Sequence, residues 1–139
     1  MTMERSSGFR EVEHTADLCL LVWGESLGEL FVEAINGLYS ISRVTLQESK
    51  DLEIENINFE ENDLESLLIS VLSECNYLLQ NDKKMFLVHS IRIENHSLEI
   101  SCLIQEVAHF EREIKAVTYH NLEIMKSTNG YTVQVVFDV

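Results

Sequence analysis

Two aspartates far apart in the sequence, Asp17 and Asp138, offer the most distinctive chemistry of the chain. Asp17 follows the run Glu13-His14-Thr15-Ala16 between two apolar stretches, and Asp138 precedes the last residue, Val139. Apolar packing requires no carboxylate at either position. If the fold brings the two ends of the chain together, the two aspartates and the carboxylate of Val139 converge on one point. Such oxygen donors are the ligands that hard cations prefer, which makes calcium, magnesium and manganese the candidates.

Each aspartate also has an ordinary structural interpretation. An aspartate at a bend, such as Asp17, commonly accepts hydrogen bonds from nearby backbone N–H groups. An aspartate at the end of a strand, such as Asp138, is commonly just solvated. The residue types alone therefore leave the cation site as one of several interpretations.

A second polar segment, residues 113–120, lies shortly before the last strand-like run and contains Lys115 and His120. Lys115 is either one half of a surface ion pair or a lysine directed at an acidic cluster or at a partner's phosphate. His14 with Asp17 has the residue types for acid–base chemistry, although a hydrogen bond at a sheet edge is a more common role for such a histidine. No H-x-x-x-H or C-x-x-C spacing occurs, so a structural zinc site is not expected.

The charge balance narrows the choice of partner. Lys and Arg number 10 against 24 Asp and Glu, which gives a formal net charge of −14. A domain this acidic lacks the basic stripe that direct nucleic-acid binding needs, so we expect a basic protein surface as partner instead. The five glycines form neither a phosphate-binding loop nor a dinucleotide fingerprint, and no nucleophile elbow is present, so the residues do not support an enzyme.

The composition predicts one globular domain spanning residues 1–139. The longest apolar run, Leu18 to Trp23, is too short to cross a bilayer, and residues 1–10 lack the apolar core of a secretory signal. Three widely spaced cysteines within apolar patterns are typical of buried thiols in a reducing compartment. We therefore expect a cytoplasmic protein without a membrane association.

Periodicity predicts an α+β fold in which two amphipathic helices pack on a mostly antiparallel sheet. Capping boxes open the two helices, Ser26 with Glu29 and Asn62 with Glu65. The predicted strand 51–59 lies between the helices and leaves room for a mixed sheet. Two hairpins follow, one around Asn95-His96-Ser97 and one with a type I′ turn at Asn129-Gly130. The remaining predicted strands are 9–13, 18–24, 86–94, 98–104, 114–126 and 131–139.

The sequence resembles the archease family in two blocks that occur in the correct order. The first block is GFREVEHTAD from Gly8 to Asp17 with WGESLGELF from Trp23 to Phe31. The second is EIKAVTYH from Glu113 to His120 with the closing FDV. The similarity extends over nearly the whole chain, and the motifs HTAD and KAVTYH are specific ones.

The resemblance implies a protein cofactor of an RtcB-type RNA-splicing ligase, which joins tRNA halves in a GTP- and metal-dependent reaction. Such a protein promotes guanylylation of the ligase's active-site histidine and sustains multiple turnover. The resemblance implies that Asp17, Asp138 and Val139 bind a divalent cation, with calcium as the first choice. It also makes Lys115 a functional candidate, and the candidates for contacting the partner or supporting the metal ligands are Lys115, His14, Glu13 and His120.

Two other functions are compatible with the same residues. A chaperone-like modulator of RNA-modifying enzymes would use the acidic surface without needing the cation. A small metal-dependent hydrolase would use Asp17, Asp138 and His14.

Overall fold

The structure, a computed structural model, describes residues 6–12, 17–49 and 52–139. These residues form two helices and nine strands, as follows. The order is β1 (Gly8–Val12), β2 (Leu18–Gly24), α1 (Leu27–Ser42), β3 (Val44–Leu46), β4 (Ile54–Glu60), α2 (Leu64–Asp82), β5 (Lys84–Glu94), β6 (Ser97–Phe110), β7 (Ala116–Thr118), β8 (Met125–Ser127) and β9 (Gly130–Asp138).

The strands make two sheets. In the first sheet the order is β1-β2-β9-β7, and β8 pairs with β9 beyond the end of β7. In the second sheet the long strand β6 pairs with β3, β4 and β5. Every pairing among the described strands is antiparallel, including that of β4 with β6. The α+β prediction is confirmed, and the strand between the helices does not produce a parallel pair in this part of the chain.

The two helices lie between the sheets. α1 contacts β1, β2 and β9 of the first sheet and β5 of the second, and α2 contacts β7 on one side and β4, β5 and β6 on the other. This position explains why α1 is buried on more than the single apolar face that its periodicity predicts. At Gly37 the helix approaches the first sheet so closely that a Cβ would collide with Leu20. The fully buried side chains include Phe31, Leu38, Leu68, Leu72, Ile100, Val135 and Phe137.

The helix starts match the sequence analysis at α1 and differ at α2. The hydroxyl of Ser26 accepts a hydrogen bond from the N–H of Glu29 at 3.1 Å, so Ser26 is confirmed as the first cap. The reciprocal bond of the predicted capping box is displaced by one residue, because Glu29 Oε2 accepts from the N–H of Glu25 at 2.8 Å. At α2 the cap is Asp63, whose Oδ1 accepts from the N–H of Ser66 at 2.7 Å. The prediction of Asn62 was wrong by one residue because Asn and Asp both cap helices well, and Glu65 is engaged elsewhere.

The predicted strand 114–126 is interrupted. Within this segment only the short strands β7 and β8 pair with β9. Residues 119–124 leave the sheet in a turn that contains Asn121 at φ 52°. The N–H of Leu122 donates to the carbonyl of Tyr119 at 3.1 Å and closes this turn. The segment therefore carries the polar motif on a short strand and a turn, and the prediction of one continuous strand was wrong.

The hairpin at Asn129-Gly130 is present, but its turn is not type I′. Ser127 pairs with Gly130, and of these turn residues only Gly130 has a positive φ, 133°. A Cβ at Gly130 would collide with the backbone of Gly24, so a glycine is required there for close approach as well as for conformation. The other predicted hairpin is confirmed, with Glu94 paired to Ser97.

The three cysteines Cys19, Cys75 and Cys102 are free and buried, as their apolar sequence context predicts. Burial raises the pKa of the Cys75 thiol to about 12 and that of the Cys102 thiol to about 11. Both groups therefore stay protonated in the folded protein. Neither of the two helices, the only ones among the described residues, is long and apolar enough to span a membrane.

Candidate cation site

The pairing of β2 with β9 brings Asp17 and Asp138 to the same place in the fold. Leu18 pairs with Phe137 in this antiparallel register. Asp17 forms a bend directly before Leu18, and Asp138 directly follows Phe137, so the two aspartates flank the last residue pair of β2 and β9. Paired residues of an antiparallel ladder have Cα atoms about 4.5–5.5 Å apart, so residues that flank such a pair are also near each other. Asp17 and Asp138 therefore lie at the same end of the β2–β9 strand pair.

Alternation along β9 places Asp138 on the face of the first sheet that is turned away from the helices. Leu20 and Val135 pair on the helix side and are fully buried. Asp138 is out of phase with Val135 and in phase with Val136, which pairs with Cys19 on the opposite face. Asp138 is exposed and Asp17 is half-buried, so an ion and its water ligands have access to the pair.

Val139 follows Asp138 directly, and 41% of its surface is exposed. Its oxygen atoms are thus the nearest donors along the chain to the Asp138 carboxylate. Among the described residues no group of three or more His, Cys, Asp and Glu side chains is arranged around one point. The two aspartate side chains need further oxygen donors to complete a coordination shell, and Val139 and water can supply them. An all-oxygen donor set of this kind fits calcium or magnesium and does not suit zinc.

Lys115 lies beside Asp138 through its backbone. Its N–H donates to the carbonyl oxygen of Asp138 at 2.8 Å, and the next residue, Ala116, pairs with Asp138 in the β7–β9 register. Ala116 shares a face with Asp138, and Lys115, directly before β7, lines a groove together with residues of α2. The ammonium of Lys115 is exposed and forms no ion pair with any side chain in the described part of the chain.

Two side chains of α2 fix the segment that carries Lys115. The amide Nδ2 of Asn76 donates to the carbonyl of Ile114 at 2.9 Å, and Asn76 is only 8% exposed. Glu65 Oε2 accepts from the N–H of Ile124 at 3.1 Å, at the far end of the turn after β7. Neither of these two contacts was predicted from the sequence. An asparagine on the apolar face of a helix, between Cys75 and Leu79, is a signal that could have identified Asn76.

The other candidates of the sequence analysis lie nearby or outside the described residues. His120 is exposed in the turn after β7, where its N–H donates to the hydroxyl of Thr118 at 3.3 Å. That hydroxyl donates in turn to the carbonyl of Val136 at 2.9 Å and so ties the turn to β9. Glu13 and His14 lie outside the described residues, so their predicted roles stay predictions.

A family model and several known proteins match nearly the whole of this sequence. Residues 9–139 match the model of the Archease protein family. A protein archease from Methanosarcina mazei is 37% identical over 94% of this chain and 95% of its own length. The protein archease of Thermococcus gammatolerans is 30% identical over 85% and 88%.

Two solved structures share the fold. A Thermotoga maritima protein described as an archease and "possible chaperone" superposes with a TM-score of 0.67, at 25% identity and with full coverage of both chains. A Methanobacterium thermoautotrophicum protein superposes with a TM-score of 0.68 over 95% of this chain and 99% of its own, at 24% identity.

Proposed function

This chain belongs to the archease family, and from this membership we propose that it activates an RtcB-type RNA-splicing ligase in tRNA splicing. In this proposal it promotes guanylylation of the ligase and thereby sustains multiple turnover. It does so as a protein cofactor in the cytoplasm, with a divalent cation bound by Asp17, Asp138 and Val139.

The observation that carries the proposal is the β2–β9 register, which brings Asp17 and Asp138 to the same end of this strand pair, where Asp138 is exposed. Two neighbouring carboxylates repel each other, and a bound cation relieves this repulsion. A divalent cation bound there would supply positive charge to a phosphate group, which nucleotidyl transfer requires. The two aspartates hold that charge at the surface, where a partner's active site can approach it.

The net charge of −14 supports a protein partner with a basic groove. Complementary charge accelerates the encounter of two proteins and selects against wrong partners. The same charge disfavours direct contact with RNA, since the phosphates would be repelled. In this proposal the ligase, and not this protein, binds the RNA and the nucleotide.

Lys115 contributes through its exposed side chain. Its ammonium has no partner among the described residues and is therefore available to a carboxylate or a phosphate of the ligase complex. In this arrangement the aspartates bind the cation, and Lys115 contacts the partner.

A second candidate function is a chaperone-like modulator of RNA-modifying enzymes. It is favoured by the description of the Thermotoga maritima protein as a "possible chaperone". Such a function would depend on the acidic surface and not on the cation, so removal of one aspartate would leave it intact.

The test is a guanylylation assay with the cognate ligase, labelled GTP and a divalent cation, with and without this protein. We expect a higher rate of label transfer to the ligase, and no GTP hydrolysis or RNA joining by this protein alone. Equal guanylylation rates in both reactions would contradict the proposal. Ligation or GTP hydrolysis by the isolated protein would instead show that it is an enzyme.

A further inference from the structure

A surface groove with a volume of 470 Å³ runs between α2 and the segment that leads into β7. The helix contributes Asn76, Tyr77 and Gln80, and the opposite wall is formed by residues 113–117. The groove includes Lys115, whose backbone N–H donates to Asp138 of the candidate cation site. The two surfaces are therefore adjacent.

Tyr77 is the most exposed large hydrophobic residue of the described chain, with 60% of its surface accessible. Tyr77 also lines the groove. Tyrosine is strongly enriched among the residues that dominate the energy of protein interfaces, because it offers a large rigid surface with a polar tip. An exposed tyrosine beside a groove is thus the anchor that an interface would use.

The polar groups of the groove suit an extended peptide. β7 is at the edge of the first sheet, and an edge strand leaves a row of backbone N–H and C=O groups outside the sheet. Three side-chain amides also line the groove, those of Asn76, Gln80 and Asn81. Gln80 Nε2 donates to Asn76 Oδ1 at 3.3 Å, and Asn81 Nδ2 donates to the carbonyl of Tyr77 at 3.0 Å, so the amides are held in place. Amides and strand edges recognise peptide backbone, which is the basis of strand-addition binding.

Two charged side chains line the groove, the cation Lys115 and the anion Glu113, and neither has an ion-pair partner in the described part of the chain. A carboxylate on the occupant would pair with Lys115 if it is placed away from Glu113. A nucleic acid is disfavoured because one lysine cannot offset the repulsion from a protein with a net charge of −14.

We propose that the groove between α2 and β7 docks an extended segment of the partner protein, with an apolar side chain packed on Tyr77 and a carboxylate bound to Lys115. This inference rests on the proposed function, because the partner is the ligase that the protein activates. It adds a binding surface that is separate from the aspartates and assigns its anchor to Tyr77.

The test compares Tyr77→Ala, Tyr77→Phe and the control Ile54→Ala. Ile54 is 57% exposed and lies on β4 of the other sheet, so its removal deletes a similarly exposed apolar group far from the groove. Calorimetry measures the affinity of each variant for the ligase, a second titration measures the affinity for calcium, and circular dichroism verifies the fold.

We expect Tyr77→Ala to weaken ligase binding by at least about tenfold, while Tyr77→Phe and Ile54→Ala bind like the wild type. Calcium affinity should be unchanged in all three. If Tyr77→Ala binds the ligase as tightly as Ile54→Ala does, the docking inference is overturned while the proposed function stands. If the wild type neither binds nor stimulates the ligase, both fail together.

A third titration measures the affinity of the same variants for a single-stranded RNA oligonucleotide. Binding of this RNA to the wild type that is lost in Tyr77→Ala would reassign the groove to nucleic acid and overturn the inference. The absence of RNA binding by all variants, together with the loss of ligase affinity, supports a protein occupant.

Discussion

The backbone N–H of Lys115 donates to the carbonyl oxygen of Asp138 at 2.8 Å, directly before Ala116 pairs with Asp138 in the β7–β9 register. One hydrogen bond thus joins the candidate cation site to the segment proposed to contact the partner. Because the bond uses only backbone atoms, substitution of either side chain leaves it in place. The two roles are therefore separable by mutation.

Replacement of Asp138 by asparagine should remove the cation without unfolding the protein. Mutation of a residue that only hydrogen-bonds to a metal ligand typically lowers metal affinity by about 10–100-fold. Loss of a ligand itself should therefore reduce calcium affinity by at least about tenfold. Because Asp138 is exposed, the free energy of unfolding should change by no more than about 0.5 kcal/mol. Calorimetric titration with calcium and urea denaturation measure the two quantities, and Asp82→Asn, an exposed aspartate at the end of α2, is the control. Equal calcium affinities for the two variants would exclude Asp138 as a ligand.

Lys115→Ala should weaken stimulation of the ligase and leave calcium affinity unchanged. Lys115 contacts Asp138 through its backbone N–H, and an ammonium cannot bind a cation, so removal of the side chain should abolish only the contact with the partner. The control is Lys84→Ala, because Lys84 is on the second sheet and its nitrogen is 4.0 Å from Glu106 at the surface. A loss of calcium binding in Lys115→Ala would place this lysine in support of the metal site instead.

Asn76→Ala should destabilise the fold near the site. Its amide is the hydrogen-bond donor to the carbonyl of Ile114, and a buried carbonyl left without a partner costs about 1–3 kcal/mol. Urea denaturation measures the free energy of unfolding, with Asn81→Ala as an exposed control one helical turn away. We expect increased amide exchange in residues 113–118 as well. Identical stability of both variants would mean that Asn76 does not anchor this segment.

The stability of α2 should depend on pH through Asp63. The N–H of Ser66 holds the pKa of this carboxyl below its usual value of 3.8, so the ionised form is the stabilising one. Its contribution is complete above pH 3.8 and is lost as the pH falls through the lower pKa of the folded state. The difference in unfolding midpoint between the wild type and Asp63→Ala should therefore be constant at neutral pH and shrink in acid.

Asp63→Asn provides the matched control for that titration. Asparagine caps a helix about as well as aspartate but does not ionise, so its advantage over Asp63→Ala should not change with pH. A pH-independent difference between the wild type and Asp63→Ala would show that the carboxylate charge has no part in the cap.

The sequence predicts the parts of this fold that depend on local pattern. Alternation predicted β2 and β9, and the serine–glutamate spacing predicted the start of α1. The position of the helices between two sheets was not predictable, because each periodicity reports only that a face is apolar and not which element covers it. The break after Thr118 was likewise missed, since the turn that follows it is held by Glu65 of a distant helix.

The candidate site was predicted at the level of residues and not of orientation. Asp17 and Asp138 stood out because neither is needed for packing, and the register explains how residues 121 positions apart in sequence become neighbours. Asn76 and Tyr77 were not identified, because an amide bond to a distant carbonyl and an uncovered ring beside a groove exist only after folding.

The most direct test of the proposed cation-dependent activation measures ligase guanylylation under multiple turnover. Three forms of this protein are compared: wild type, Asp138→Asn and Asp82→Asn. We predict that wild type and Asp82→Asn both raise the turnover number, and that Asp138→Asn does not, although it remains folded. Full stimulation by Asp138→Asn would contradict the central claim that the paired aspartates act through a bound cation.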